Sequence, residues 1–222
     1  MATTTVTTWG HACVGFERDG RTLVIDPGGF SDPAVLDQRV EAVLITHEHP
    51  DHLDAARVSG LLQAGSSAQV WAPAEVVAQL VEAGTDPARA HAVADGDVFD
   101  AAGFAVQALG HDHAVVHPAL PTVVNVAYLV DRVALHPGDS FTPAPAGTDL
   151  ELLFLPVAAP WLALGQAIDY LGAAAPRTAV PIHDAILSDP GRLLVDRILG
   201  AVPGTADYRR LGPAERLELG RP

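Results

Sequence analysis

Thr46-His47-Glu48-His49-Pro50-Asp51-His52 sets three imidazoles and a carboxylate at positions 47, 49, 51 and 52 of one short segment. Imidazole nitrogens and carboxylate oxygens are the donors that bind zinc and comparable divalent ions. One four-coordinate ion does not require so many donors from a single loop, and so short a loop cannot wrap all of them around one ion. Two adjacent ions sharing the loop is the economical reading. The alternative is a polar surface loop that happens to be rich in His.

The elements that must position such a loop lie around it. Ala42-Val43-Leu44-Ile45, directly before it, has the length and β-branching of a buried strand. Three further apolar runs end in the same way. Phe104–Leu109 leads into Gly110-His111-Asp112-His113-Ala114, Val133–Leu135 into His136-Pro137-Gly138-Asp139-Ser140, and Thr178–Ile182 into His183-Asp184. Loops at strand ends are held by a rigid scaffold while facing a common crevice, which is how α/β sites are usually built. Any one of these His residues alone reads as a capped or solvated surface group. Four such endings together point to a shared site.

The rest of the chain alternates strand and helix signals. Thr5–Trp9, Cys13–Glu17 and Leu23–Asp26 read as strands, with Asp19-Gly20 as a hairpin turn. A helix over Leu53–Gln63, a strand at Gln69–Ala72 and a helix over Ala74–Glu82, opened by Pro73 and closed by Gly84, follow the His-rich loop. Short strands are expected around Val98–Asp100 and at Phe104–Leu109. The second half repeats the logic: a hairpin-like pair at Val123–Val130 and Val133–His136, strands at Leu152–Pro156 and Thr178–Ile182, helices over Leu162–Gly172 and Gly191–Leu199, and an edge strand at Glu215–Leu219. No linker or tandem repeat interrupts this order, so residues 1–222 read as one mixed α/β domain with sheets covered by helices.

His47-x-His49-x-Asp51-His52 after an apolar strand resembles the signature of the metallo-β-lactamase fold superfamily of metal-dependent hydrolases. Thr8-Trp9-Gly10-His11-Ala12 and Leu23-Val24-Ile25-Asp26-Pro27-Gly28 resemble its two opening motifs. His136-Pro137-Gly138-Asp139-Ser140 resembles its H-x-G-D-[ST] element, and Pro181-Ile182-His183 its last ligand motif. The compact chain and its Gly-His-Ala opening are most similar to the small ascorbate-6-phosphate-lactonase-like branch. The resemblance implies an αβ/βα four-layer sandwich, two mixed sheets flanked by helices. It also implies a first metal held by His47, His49 and a His of the Gly110–Ala114 loop, and a second held by Asp51, His52 and His183, with Asp139 bridging both. His111 and His113 both lie within reach of the strand end; the G-x-x-H-A setting of the branch favours His113.

The implied activity is hydrolysis of a small ester, lactone or phosphodiester by a metal-bound hydroxide. Two divalent ions lower the pKa of a bridging water from 15.7 to roughly 7 in good zinc sites. Zinc is expected first, and manganese or iron suit the same donors. Asp51 is expected to ligate and to steer the hydroxide. His136 is the candidate proton donor, with His11 beside it, and either could instead be structural. Asp26 could orient a ligand His through its second nitrogen or cap the following turn. His117 is placed in an expected lid loop over Val115–Thr122, His91 is expected on the surface, Trp161 in an apolar core role or else as a pocket wall, Ser140 as loop support, and Cys13 as a small buried hydrophobe. Two other classes compete: a mono-iron sulfur dioxygenase-type oxidoreductase on the same fold, and a metal-binding protein without turnover. The di-iron reductases of this fold usually carry Glu where this chain has His49.

Charge narrows the partners. The chain has 27 acidic residues against 13 basic ones, all of them Arg, for a net charge of −14. That balance works against nucleic-acid binding, which is built largely on phosphate neutralisation. No apolar stretch approaches the ~18 residues of a membrane span, and Met1-Ala2-Thr3-Thr4-Thr5 has no basic n-region. A cytoplasmic protein acting on a small-molecule substrate is expected, as a homo-oligomer. The single Cys13 excludes an internal disulfide.

Overall fold

The computed structural model describes residues 3–63, 67–203, 206–212 and 215–220, so Met1 and Ala2 of the leader reading lie outside the described residues. The N-terminal half runs β1 (Thr4–Thr8), β2 (Val14–Arg18), β3 (Arg21–Ile25), β4 (Val40–Leu44), α1 (Ala55–Gln63), β5 (Gln69–Ala72), α2 (Ala74–Glu82) and β6 (Ala90–Ala92). Then come β7 (Val98–Ala101), β8 (Phe104–Leu109), β9 (Ala127–Val130), β10 (Ala134–His136) and β11 (Leu152–Pro156). The chain closes with α3 (Leu164–Ala174), β12 (Thr178–Ile182), α4 (Asp189–Leu199), β13 (Asp207–Tyr208) and β14 (Leu217–Leu219).

These strands form two mixed sheets, ordered β14-β1-β2-β3-β4-β5-β6 and β13-β12-β11-β10-β9-β8-β7. Each sheet is antiparallel over one half and parallel over the other. Asp19 and Gly20, both at positive φ, close the β2–β3 hairpin in the geometry that a two-residue connection favours.

Alternation along the strands explains the layering, because successive side chains point to opposite faces of a sheet. Leu23, Ile25, Ala42 and Leu44 face Phe104, Val106, Tyr128, Phe154 and Val180 between the sheets. Their neighbours Val24, Val43, Ile45 and Val70 pack beneath Val58, Leu62, Val76 and Leu80 of α1 and α2. Leu129, Leu135, Leu153 and Leu155 pack on Ala167, Leu171, Val195 and Leu199 of α3 and α4. Helix, sheet, sheet and helix thus form four layers, as expected. Strands buried on both faces read as continuous apolar runs, which is why these were visible in the sequence.

Three local differences have clear causes. Helix α3 begins after Leu162, because the Leu162 N–H is committed to Ala159 in a turn and the Gln166 side chain accepts from the Ala163 N–H. Helix α4 begins at Asp189, where Ser188 accepts from Gly191 N–H as the cap. The short β6 and β13 carry no apolar pattern and form by pairing with an existing sheet edge. His91, expected as an isolated surface group, sits within β6, half-buried, stacked on Trp71 at 5.0 Å between ring centroids. No described helix is long and apolar enough to cross a membrane.

Candidate metal centre

The C-terminal ends of β1, β3, β4, β8, β10 and β12 converge on one edge of the sandwich, each delivering a polar loop. Two groups of side chains result. His47, His49, His113 and Asp139 offer ligand atoms that all lie within 4.8 Å of one another, and so do His11, Asp51, His52 and His183. His47 Nε2 and His49 Nδ1 are 3.0 Å apart. Asp139 stands between the groups: Oδ1 lies 3.0 Å from His52 Nε2 and 3.2 Å from His183 Nε2, whereas Oδ2 lies 3.2 Å from His113 Nε2. One carboxylate therefore turns one oxygen to each cluster.

Partners behind the rings decide which nitrogen faces the centre. Asp26, completely buried at the end of β3, accepts from the Thr46 N–H at 2.8 Å, the Thr46 hydroxyl at 2.7 Å and His52 Nδ1–H at 2.7 Å. The Thr46 hydroxyl, donating to Asp26, accepts from His47 Nδ1–H at 3.0 Å. His113 Nδ1–H donates to the Ala114 carbonyl at 2.6 Å and His183 Nδ1–H to the Ala158 carbonyl at 2.5 Å. Carbonyls only accept, so each of these rings keeps its proton on Nδ1 and turns Nε2 inward. Asp26 thus combines both roles considered for it, capping the Thr46 turn and orienting a ring, as carboxylates do behind metal-binding His.

His52 Nε2, His113 Nε2, His183 Nε2 and Asp139 Oδ1 are buried without an aligned hydrogen-bond partner. Such orphaned groups cost roughly 1–3 kcal/mol each and are uncommon in folded proteins. All four converge on the space between the clusters, and a divalent ion would satisfy them together. The residues present fit metal binding.

The charge states agree. Burial opposes ionisation of Asp51 and Asp139, but the His11 hydrogen bond and the close approach of His183 at Asp51, and the charge of His52 with the close approach of His113 and His183 at Asp139, hold both well below the usual carboxylate range. Burial and neighbouring imidazoles push His47 and His49 down, keeping them neutral. Burial also opposes charge on His52 and His183, yet Asp139 with Asp26 raises His52, and Asp139 with Asp51 raises His183 to about 9. These shifts favour a proton on the nitrogens that would face a metal, so metal uptake would compete with protonation.

His11 joins the second cluster. Its Nδ1 accepts from the Ala185 N–H at 3.3 Å, which leaves the proton on Nε2, donated to Asp51 Oδ2 at 3.0 Å. His11, Asp26 and His183 all have positive φ, a conformation that non-glycine residues adopt rarely and that concentrates at functional sites. The backbone N–H of His183 donates to His11 O at 3.0 Å, locking the two loops together. Among the candidate ligands only His49 and Asp51 are more than marginally exposed, so solvent reaches the clusters past them.

The structure does not bring His136 to the centre. It is fully buried, its Nε2–H donates to the Ala12 carbonyl at 2.8 Å, and its Nδ1 accepts from the Gly138 N–H at 3.3 Å. With both nitrogens committed to backbone, His136, expected as a proton donor, braces two loops instead of turning into either cluster. The His111 ring is exposed and hydrogen-bonded to Asp112, while His113 is buried in the first cluster. Substituting His113→Ala is expected to remove one equivalent of bound metal, with His111→Ala retaining all of it, as metal quantitation after dialysis would show. His117 lies on the exposed loop with its Nδ1 accepting from Ala119 N–H, away from both clusters. Ser140 supports its loop, donating to the Pro137 carbonyl at 2.9 Å.

Two residues have contacts with Asp139 that the sequence did not show. Asn125, fully buried, accepts from the Asp139 N–H at 2.9 Å and donates to the Pro137 carbonyl at 2.9 Å. The one hint was an amide inside the apolar run Val123–Val130. Trp161 was expected in the apolar core; its indole N–H instead reaches Asp139 Oδ2 at 2.9 Å.

Two sheets flanked by helices, with paired His/Asp clusters at one edge, define a metallo-β-lactamase-like fold. Residues 5–183 match the family described as Beta-lactamase superfamily domain, and the chain belongs to that family. It is 42% identical over 193 residues to Protein Rv0786c of Mycobacterium tuberculosis, covering 84% of this chain and 87% of that one. In fold it is similar to Igni18, described as a novel metallo hydrolase of Ignicoccus hospitalis, with a TM-score of 0.73 at 20% identity over 98% of this chain and 99% of the other. It also resembles CmlA, a diiron β-hydroxylase of Streptomyces venezuelae, with a TM-score of 0.66 at 18% identity, over 98% of this chain and 54% of that one.

Proposed function

We propose that this protein is a metal-dependent hydrolase with a binuclear centre that cleaves a small ester, lactone or phosphodiester. The observation that carries this reading is the Asp139 carboxylate, with Oδ1 against His52 and His183 and Oδ2 against His113. His47, His49 and His113 would hold one ion, Asp51, His52 and His183 the other, and Asp139 both. Zinc is the expected metal. When bound, the two ions supply Lewis acidity toward the scissile oxygen and lower the pKa of a water between them.

The chain's own residues do the rest. Asp51, partly exposed and held ionised by its imidazole neighbours, can orient the O–H of an incoming water. His11 Nε2–H holds Asp51 Oδ2 and fixes that orientation. Asp26 and Thr46 keep His52 and His47 turned inward while the substrate changes. No Ser or Cys nucleophile is needed; Cys13 is buried, with its thiol pushed up by burial. A small, uncharged or locally anionic substrate suits a chain of net charge −14 better than a nucleic acid. Igni18's description as a metallo hydrolase supports the same class.

A mono-iron dioxygenase shares the His-x-His pattern, but a mono-iron site has no use for a second complete set of His11, Asp51, His52 and His183. Metal analysis of protein purified without added metal, paired with a panel of lactones, thioesters and bis-p-nitrophenyl phosphate, separates the readings. Two equivalents of divalent metal and hydrolysis within the panel are expected. One non-haem iron with oxygen uptake on a persulfide would refute the hydrolase.

A further inference from the structure

The Asp139 carboxylate accepts a hydrogen bond from one side chain that is not itself a candidate ligand. Trp161 Nε1–H donates to Oδ2 at 2.9 Å, the same oxygen that faces His113. Oδ1, facing His52 and His183, has no aligned hydrogen bond. The local chain is built for this aim. Ala159 O accepts from Leu162 N–H at 3.1 Å, closing a turn with Pro160 at its second position and Trp161 at its third. The indole then lies edge-on to Phe141, 5.3 Å between centroids, and to His113 at 6.2 Å.

The last torsion of an Asp side chain is broad, so the rotamer alone does not hold a carboxylate in a bridging pose. The backbone contacts of Asp139, from its N–H to Asn125 and from Ala114 N–H to its carbonyl, place Cα and leave the carboxylate free to turn. Apart from the candidate ligands themselves, the indole is the remaining restraint among the described residues, and it acts on the first-cluster oxygen alone. A donated hydrogen bond also withdraws some charge from Oδ2, which would weaken a metal bond there. Orientation outweighs this effect in metal sites: losing an outer partner typically lowers affinity about 10–100-fold rather than raising it.

We infer that Trp161 is a positioning residue that makes the Asp139 bridge asymmetric, orienting Oδ2 toward the ion held by His47, His49 and His113. This rests on the two-ion reading above. It predicts that the two sites respond differently to loss of the indole N–H, although they share one carboxylate.

The test is titration of Trp161→Phe with Zn²⁺ against a competing chelator, beside wild type, His49→Ala and Phe141→Leu. Trp161→Phe should weaken, by about 10–100-fold, the same equivalent that His49→Ala removes, and leave the other equivalent unchanged. Phe141→Leu alters the ring packing and keeps the donor, so both affinities should persist. Trp161→Leu, which removes the donor with a different shape, should reproduce the site-selective loss, and unfolding of the metal-free variants should match wild type. Unchanged first-site affinity in Trp161→Phe, equal loss at both sites, or the same loss in Phe141→Leu would overturn the role of Trp161. Fewer than two equivalents on wild-type protein would instead overturn the two-ion reading itself.

Discussion

Asp139→Ala is expected to bind less than two equivalents of metal and to lose at least about 100-fold in hydrolytic rate, the upper end of what even indirect partners of a metal ligand cost. The size follows from position. Asp139 is the residue whose two oxygens face both clusters, so one truncation removes a ligand from each. It also leaves His52 and His183, whose protonated forms it stabilises, facing one another across a buried gap. The fold should survive, because Asn125 braces the Asp139 loop through its backbone N–H rather than through the carboxylate. Metal quantitation, far-ultraviolet circular dichroism and kinetics on any substrate found in the panel check this together. An Asp139→Ala protein that retained two metals and full activity would show that the carboxylate does not bridge.

Gly28→Ala should have the largest effect on the scaffold. A Cβ at Gly28 would lie 2.0 Å from the Asp51 carbonyl oxygen, 2.1 Å from its carbon and 2.5 Å from His52 N. All three are backbone atoms and cannot swing aside as a flexible side chain would. The segment after β3 and the His-rich loop must separate, straining the Gly29 N–H to Pro50 O bond of 2.7 Å and the Asp54 N–H to Pro27 O bond of 3.2 Å. Overpacking commonly costs about 1–3 kcal/mol, and a backbone-to-backbone clash stands at or above the top of that range. The displacement falls on Asp51 and His52, so the second equivalent of metal should be lost as well. Gly60→Ala in α1 is the control: its added Cβ meets nothing within 4 Å, and helix propensity predicts a gain of up to about 1 kcal/mol. Urea unfolding midpoints with metal counts would decide it; equal midpoints for wild type and Gly28→Ala would mean the loops separate at no cost.

Gly28 also shows where a motif and its reason part company. Asp26-Pro27-Gly28 stood out as a segment after a strand, but nothing local says why glycine must be third. The reason lies in another loop, the backbone of Asp51 and His52. Gly138 is similar: at a φ of +60° its added Cβ would lie 2.3 Å from Asn125 Oδ1 and 2.8 Å from the Thr46 side chain. The glycines of both motifs are spacers that let separate loops approach.

His136 and His11 make the complementary point. His136 ends β10 and His11 lies between β1 and β2, and both looked equally able to serve the pocket. His136 turns to the Ala12 carbonyl, and His11 turns to Asp51. Which way a ring faces depends on loop dihedrals and on a partner more than a hundred residues away in one case and forty in the other. Trp161 misled for the same reason, since an aromatic beside Pro160 carries no sign that its N–H will meet a carboxylate.

The sequence alone determined the family and the donor types of the candidate site. Strand alternation is a local property, and so is the placing of His and Asp just beyond the last apolar residue. The donor types, their order along the chain and the layering of the sheets were therefore legible without coordinates. Only the tertiary structure set His113 inside the first cluster and His111 outside it, turned His136 to the Ala12 carbonyl, turned His11 to Asp51 and Trp161 to Asp139, and set the two oxygens of Asp139 between the clusters. Those choices rest on hydrogen bonds among loops distant in sequence, whose geometry exists only once both sheets have packed.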